Sequence, residues 1–167
     1  NTDAMSTYYR SIILAGPSAK GQELLAKVNN GEELTWDDLN SATWAVMGPT
    51  SASGYIYPAL WLQERYGKTI ADLDNAVQSD SYTTSLARLA SGQADVMVSF
   101  GHIRTKNAKD WKEKLGGTDE MVNQTGIIGV TEPIYNDMIA YSKNSELMQD
   151  EDFRKALGDS FIELAET

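Results

Sequence analysis

Segments rich in β-branched and aromatic residues alternate along this chain with segments that carry apolar residues at helical spacing. This alternation constrains the fold, because strands separated by helices pair in parallel and place helices on both faces of a sheet. The sequence therefore predicts an α/β fold with a mostly parallel sheet flanked by helices. The predicted strands span residues 8–15, 43–47, 75–78, 95–100, 126–130 and 138–141. The predicted helices span residues 18–30, 36–39, 53–66, 81–91, 107–115 and 150–166.

Composition excludes several classes of site and partner. The 167 residues include no cysteine and a single histidine, His102, which excludes thiolate and histidine-rich metal centres and cysteine nucleophiles. The net charge of −10 repels a phosphate backbone and argues against a nucleic-acid partner. Small anions stay possible, because nearby backbone amides outweigh distant charge. We expect neither a metal nor a cofactor.

In sheets of this kind, ligands bind at the turns where strands end and helices begin. The turn at residues 48–54 (GPTSASG) offers three hydroxyls, two glycines and the amides of a helix start. Hydroxyls and amides at the positive end of a helix dipole suit an oxyanion. The same atoms also cap helices, so we give equal weight to the interpretation that Ser51 or Ser53 only caps the helix. Two further turns, at residues 79–83 and 100–104, are expected at the same edge of the sheet.

The motifs of several enzyme classes are missing from the first turn. A P-loop beginning at Gly48 needs glycine and lysine where the chain has Ser53 and Gly54. A nucleophile elbow ending at Gly54 needs glycine and serine where the chain has Thr50 and Ala52. A dinucleotide fingerprint is also missing. These departures count against a nucleoside triphosphatase, a hydrolase and a dehydrogenase.

Five segments together resemble one family. They are residues 36–39 (WDDL), 44–48 (WAVMG), 50–58 (TSASGYIYP), 89–95 (LASGQAD) and 131–137 (TEPIYND). Their order and composition are similar to those of the phosphonate- and phosphate-binding subunits of ABC transporters, which are type II periplasmic binding proteins. The resemblance extends over residues 8–167.

Members of that family have two α/β lobes joined by two crossing strands, with the ligand clamped between the lobes. The resemblance implies that this chain is mainly the second lobe. Residues 1–142 would then form the ligand-binding lobe, with crossing strands at about 8–15 and 135–142. Residues 143–167 would form a helical segment that packs on the missing first lobe and buries its apolar stripe in that contact.

The resemblance also implies which residues hold the ligand. Ser51 and Ser53 would donate hydroxyl hydrogens to the oxyanion, together with the amides of Ser53 and Gly54. Tyr82 and Thr83 stand where the family often has a His-Asp pair, although Thr83 or Ser81 as a helix cap is the competing interpretation. The full set of expected ligand-binding residues is Ser51, Ala52, Ser53, Gly54, Tyr55, Tyr82, Thr83, Tyr135 and Asn136.

The third turn bears on the chemistry of the ligand. Members that bind aminophosphonates are expected to have carboxylates near the end of the fourth strand, where this chain has Ser99 and Phe100. We therefore expect an ammonium group on the ligand to add little affinity. Arg104 is suited to pairing with a dianion, but we favour the interpretation that it is a solvated loop residue. His102 is expected to be structural or solvent-facing.

The function that the resemblance implies is the solute-binding component of an ABC importer. Such a component binds a phosphonate, a phosphate or a related oxyanion, is not an enzyme, and delivers its ligand to a transporter permease. It works in the periplasm or at the cell surface. The alternative is a metabolite-sensing or phosphoester-processing α/β domain. Conversion of a bound phosphate ester would distinguish the alternative from simple binding.

Overall fold

The structure of the protein is a computed structural model that describes residues 7–136 and 140–165. The strands are β1 (Tyr8–Ala15), β2 (Trp44–Val46), β3 (Ala76–Gln78), β4 (Val96–Phe100) and β5 (Gly126–Tyr135). The helices are α1 (Ala19–Asn29), α2 (Trp36–Asn40), α3 (Tyr57–Tyr66), α4 (Tyr82–Ala90), α5 (Ile103–Glu113), α6 (Met121–Gln124), α7 (Glu146–Gln149) and α8 (Glu151–Ala165). A π-helical turn at Ala52–Ile56 precedes α3, and a 3₁₀ turn occupies Ile70–Asp72.

The strands form one sheet in the order β3-β2-β4-β1-β5. Strand β2 pairs in parallel with both β3 and β4. Strand β1 lies between β4 and β5 and is antiparallel to both. Four strands therefore point one way and β1 points the other, which confirms the predicted α/β class with a mostly parallel sheet.

Each face of the sheet is covered by helices. Side chains alternate between the two faces of a strand, and both sets are apolar here. Ile13, Trp44 and Val98 belong to one buried cluster, which α1, α2 and α3 complete. Leu14 and Met97 belong to the other, which α4 and α5 complete. The sheet is thus the middle of three layers.

Two elements differ in length from their predictions. Strand β5 was expected to end at Val130 but continues to Tyr135, through Pro133. Proline removes a donor from a strand, and an edge strand such as β5 tolerates this loss. Helix α5 begins at Ile103 instead of residue 107, because Ile103 and Trp111 lie two turns apart and are both buried against the sheet.

Asp95 joins three elements just before β4. Its side chain accepts hydrogen bonds from Ser18 Oγ (2.6 Å) and from the Thr43 amide (2.7 Å). Ser18 also caps α1 by accepting from the Gly21 amide. Gly92, with a φ of 75°, ends the preceding helix in the left-handed conformation. The segment at residues 89–95 is therefore a helix stop followed by an anchor that ties α1 and β2 to β4.

The chain divides into two compact units, Asn1–Asn136 and Asp137–Thr167. The first unit contains the whole sheet. The second unit contains α7 and α8, and α8 exposes Phe161, Ile162 and Leu164. Residues 138 and 139 of the predicted sixth strand lie outside the described residues, and residues 140–142 are not in a strand. Across the described residues, every helix is too short or too polar to cross a membrane.

Candidate ligand-binding site

The predicted turns meet at one edge of the sheet. Strands β2, β3, β4 and β5 all end at this edge, and β1 begins there because it runs in the opposite direction. The edge therefore collects the loop before the π-helical turn, the start of α4, the start of α5, the start of β1 and the end of β5. This is the position where open α/β sheets bind their ligands.

The serine-rich loop is held in a tight conformation. Ser51 is extended, with φ −77° and ψ 120°, and its Oγ accepts a hydrogen bond from the Gly54 amide at 3.2 Å. Ser51 is therefore the helix cap that the competing interpretation proposed. The Gly54 amide, which we expected to face the ligand, is occupied by this bond. A Cβ on Gly54 would lie 2.3 Å from Met47 Cγ, so the packing of the loop requires glycine.

Ser53 is oriented differently from Ser51. It is 6% exposed, and its Oγ lies 2.9 Å from the hydroxyl oxygen of Tyr82. Its carbonyl accepts a hydrogen bond from the buried Ser11 hydroxyl at 2.6 Å, which fixes the backbone. Ser51 Oγ is farther from the Tyr82 hydroxyl, at 3.5 Å. Because one hydrogen joins the Ser53 and Tyr82 hydroxyls, the other hydrogen of that pair is available to an outside acceptor.

Backbone amides add to the donors at this point. Ala52 and Ser53 hold the first two positions of the π-helical turn, which runs directly into α3. The first amides of a helix have no acceptor within the helix, and they carry the positive end of its dipole. A hydroxyl hydrogen and these amides therefore favour an anion beside Ser53.

A cavity of about 440 Å³ opens at the same place. The Phe100 ring contacts Tyr82 edge-to-face, with ring centroids 5.2 Å apart and planes at 89°. Lys106 Nζ lies 5.6 Å from the centroid of the Phe100 ring, within the range of a cation–π contact. No aspartate or glutamate occurs among the described residues that line the cavity. The described lining consists of Tyr8, Tyr9, Ser53, Phe100, His102, Lys106 and Asn136.

The other expected residues lie around this centre in different ways. Ala52 is half-buried, and Tyr55 packs against the cluster that contains Trp44. Thr83 is exposed on α4, whose cap is Ser81, because the Ser81 hydroxyl accepts from the Thr84 amide. The structure therefore brings Ser53 and Tyr82 together, with Ser53 in the cavity lining and Tyr82 next to it, and leaves Tyr55 and Thr83 outside the lining.

The β1–β5 pair forms one border of the cavity. Tyr135 is 72% exposed and contacts Tyr8 edge-to-face, with centroids 6.5 Å apart. The Asn136 amide donates to the Thr7 carbonyl at 3.0 Å. Asn136 thus lines the cavity as expected, whereas the Tyr135 ring lies on the exposed Tyr8 side chain.

Helix α5 contributes residues that the sequence analysis treated differently. His102 lines the cavity and is exposed, and Arg104 donates to the Thr125 carbonyl at 3.4 Å. Lys106 was missed, because the helix was predicted to begin one residue after it. Tyr8 and Tyr9 were missed as well, since they were assigned only to a strand. A prediction that α5 begins directly after β4 would have indicated Lys106 as a residue of the site.

Metal binding has no support in this part of the chain. Among the described residues, no group of three or more histidine, aspartate or glutamate side chains is placed to hold one ion. The donors at the site are hydroxyls, amides and one ammonium group, which bind anions and not cations.

Comparison with known proteins shows which family this chain belongs to. The model of the phosphonate-binding family, described as "ABC transporter, phosphonate, periplasmic substrate-binding protein", matches residues 1–167. The chain belongs to this family. The resemblance seen in the sequence is therefore confirmed. No curated protein sequence gives a significant match.

Solved structures share the fold of this phosphonate-binding family member. A binding protein component of an ABC phosphonate transporter from Pseudomonas aeruginosa is 18% identical with a TM-score of 0.58, covering 90% of this chain and 45% of that one. PhnD1 from Prochlorococcus marinus, in complex with methylphosphonate, is 15% identical with a TM-score of 0.53, covering 77% and 43%. The chain thus spans less than half the length of these proteins.

Proposed function

We propose that this chain is the ligand-binding lobe of the solute-binding component of an ABC importer, and that it takes a phosphonate, a phosphate or a related oxyanion. The observation that carries the proposal is the Ser53–Tyr82 hydroxyl pair, 2.9 Å apart, beside the first amides of the helix. Membership of the phosphonate-binding family and the methylphosphonate bound to PhnD1 support it.

The donors suit binding without chemical conversion. A tetrahedral oxyanion presents several acceptor oxygens, and the site offers it a hydroxyl hydrogen of the Ser53–Tyr82 pair and two backbone amides. A nucleophilic serine needs a base beside it to take its proton. The hydroxyl of Ser53 has another hydroxyl as its partner, that of Tyr82, which is a poor base at neutral pH. We therefore propose a binding protein and not an enzyme.

A second lobe would close over this cavity. Strands β1 and β5 pair from Tyr8 opposite Tyr135, so the chain enters and leaves the first unit side by side at the cavity edge. Two connections at that edge would allow a further lobe to lie over the ligand. Enclosure between two lobes removes water and strengthens the hydrogen bonds to the anion.

The remaining partners follow from the importer role. The closed protein would deliver its ligand to a transporter permease, and it would work in the periplasm or at the cell surface. The apolar side chains of α8 that are exposed in this chain, Phe161, Ile162 and Leu164, would pack on the first lobe.

Calorimetry on the full-length protein tests the proposal. Methylphosphonate and inorganic phosphate are each titrated, and 2-aminoethylphosphonate tests the effect of an ammonium group. We expect a Kd in the micromolar range or tighter for at least one oxyanion, which corresponds to roughly −8 kcal/mol. We expect no hundredfold gain for 2-aminoethylphosphonate, because no carboxylate lines the described cavity.

Phosphorus NMR on the same mixtures separates binding from chemistry. Unchanged ligand after prolonged incubation agrees with a solute-binding component. Release of phosphate from a phosphate ester would instead support the phosphoester-processing alternative. Absence of binding to every oxyanion would exclude the proposed function.

A further inference from the structure

The cavity is lined by more than the oxyanion donors, and its other lining residues differ from them in chemistry. Ser53 lines the cavity with its hydroxyl group bonded to that of Tyr82, whereas other lining residues include the aromatic Tyr9 and Phe100 and the cationic Lys106. Flat rings favour a short carbon linker, and an ammonium group favours a negative charge. Both features concern the substituent of the ligand and not its oxyanion.

Lys106 differs from the other lysines near it. Lys109 pairs with Glu113 at 4.0 Å, Lys112 with Glu120 at 3.3 Å and Lys114 with Asp110 at 2.9 Å. None of the ion pairs among residues 7–136 and 140–165 includes Lys106, whose ammonium group lies over the Phe100 ring. Lys106 therefore brings a positive charge to the cavity lining, and no aspartate or glutamate among the described lining residues neutralises it.

We propose that the natural ligand is a phosphonate or phosphate monoester whose substituent carries a carboxylate, and that Lys106 selects for that second charge. This inference rests on the proposed oxyanion function. The oxyanion is held by Ser53, Tyr82 and the helix amides. The carbon linker packs on Phe100, and the carboxylate accepts hydrogen bonds from Lys106 Nζ, which has three donors.

Two ligands of similar size test the preference. Phosphonoacetate carries a carboxylate where ethylphosphonate has a methyl group. In calorimetry on the full-length protein at constant ionic strength, we expect phosphonoacetate to bind about tenfold tighter, since a charge-assisted hydrogen bond has that worth. We expect Lys106→Met to abolish this advantage while ethylphosphonate affinity changes by less than about twofold.

Lys109→Met is the matched control. It removes the same charge from the same helix, at a lysine that pairs with Glu113 and lies outside the cavity lining. We expect it to preserve the preference for phosphonoacetate. An effect of overall charge would reduce the preference equally in both variants and would overturn the inference.

The outcomes distinguish this inference from the proposed function. If ethylphosphonate and inorganic phosphate bind but phosphonoacetate has no advantage, the role of Lys106 is wrong and oxyanion binding stands. The same conclusion follows if the advantage survives in Lys106→Met. If none of the three compounds binds, both proposals are wrong.

Discussion

At the scale of single residues, two serines in one loop have different roles. Ser51 accepts from the Gly54 amide and lies 3.5 Å from the Tyr82 hydroxyl, whereas Ser53 lies 2.9 Å from it and lines the cavity. A cap contributes to stability, and a donor to the ligand contributes to affinity. The structure therefore separates two roles that the sequence left open between these residues.

Alanine at each serine tests this division. We expect Ser51→Ala to lower stability by about 1 kcal/mol, because the helix loses its cap. We expect Ser53→Ala to weaken oxyanion binding by about one to two orders of magnitude, since a hydrogen bond to a charged group is worth roughly 1.5–3 kcal/mol. Melting temperature and Kd are measured on the same preparations. The reverse pattern, with affinity lost only in Ser51→Ala, would contradict the assignment.

Packing constrains Gly54 more than Gly48, the other glycine of the loop. A Cβ there would lie 2.3 Å from Met47 Cγ and 2.8 Å from Ser51 Oγ. We expect Gly54→Ala to lower the free energy of unfolding by about 1–3 kcal/mol. Gly48→Ala is the matched control, because the nearest atom to its Cβ would be Gln78 Nε2, at 3.6 Å. Equal unfolding midpoints in urea for the two variants would show that the contact is relieved at no cost.

The sequence drew attention to the Ser53 loop and gave no indication of Lys106. Serine, glycine and a following helix are local signals, and both Ser53 and Tyr82 were expected at the site. Lys106 reaches the cavity only because β4 and α5 are joined by a short turn and Ile103 is buried at the start of the helix. The segment around Lys106 is polar, so its sequence carried no comparable signal.

At the scale of elements, Asp95 links helix α1 with strands β2 and β4. Its removal would leave the Ser18 hydroxyl and the Thr43 amide without their acceptor. We expect Asp95→Ala to lower the free energy of unfolding by about 2–3 kcal/mol. Asp74→Ala is the control, since Asp74 accepts from Asn40 at an exposed position. We expect a change of about 0.5 kcal/mol or less there in urea unfolding. Equal losses in the two variants would refute the linking role.

A second link joins α1 to α2 and depends on pH. The Lys27 ammonium group, and after it the Thr35 amide, lower the pKa of Asp38 from 3.8 to about 2. A carboxyl group whose pKa is lowered in the folded state stabilises the fold at every pH above its ordinary pKa. This contribution is lost as the pH falls through the lowered pKa. We expect Asp38→Asn to be less stable by about 1–2 kcal/mol at pH 7.

The stability difference between wild type and Asp38→Asn should therefore shrink between pH 4 and pH 2. Urea unfolding at pH 7 and at about pH 2.5 measures it in both proteins, which share every other titrating group. A gap of the same size at both pH values would show that the charge of Asp38 contributes nothing.

Element boundaries followed from the sequence where caps and glycines mark them. Gly67 and Gly92 end α3 and α4 with positive φ, as their positions predicted. Strand β5 was predicted too short, because its continuation through Pro133 depends on pairing with β1, a contact between distant parts of the chain. Pairing between distant segments leaves no pattern in the local sequence.

At the scale of the whole molecule, the described strands form one sheet, and the candidate cavity lies at one edge of it. Alternation of strands and helices predicted the three layers, since it reflects local apolar patterns. It did not predict that β1 lies antiparallel between β4 and β5, because strand order is decided by long-range contacts. That placement brings Tyr8 and Tyr9 to the cavity.

The position of a bound oxyanion tests the central claim most directly. In a crystal structure of the full-length protein grown with methylphosphonate, we expect phosphonate oxygens within about 2.5–3.2 Å of Ser53 Oγ and the Tyr82 hydroxyl. We expect the methyl group to face the Phe100 ring. A methylphosphonate bound elsewhere, with the Ser53 and Tyr82 hydroxyls still bonded only to each other, would contradict the account.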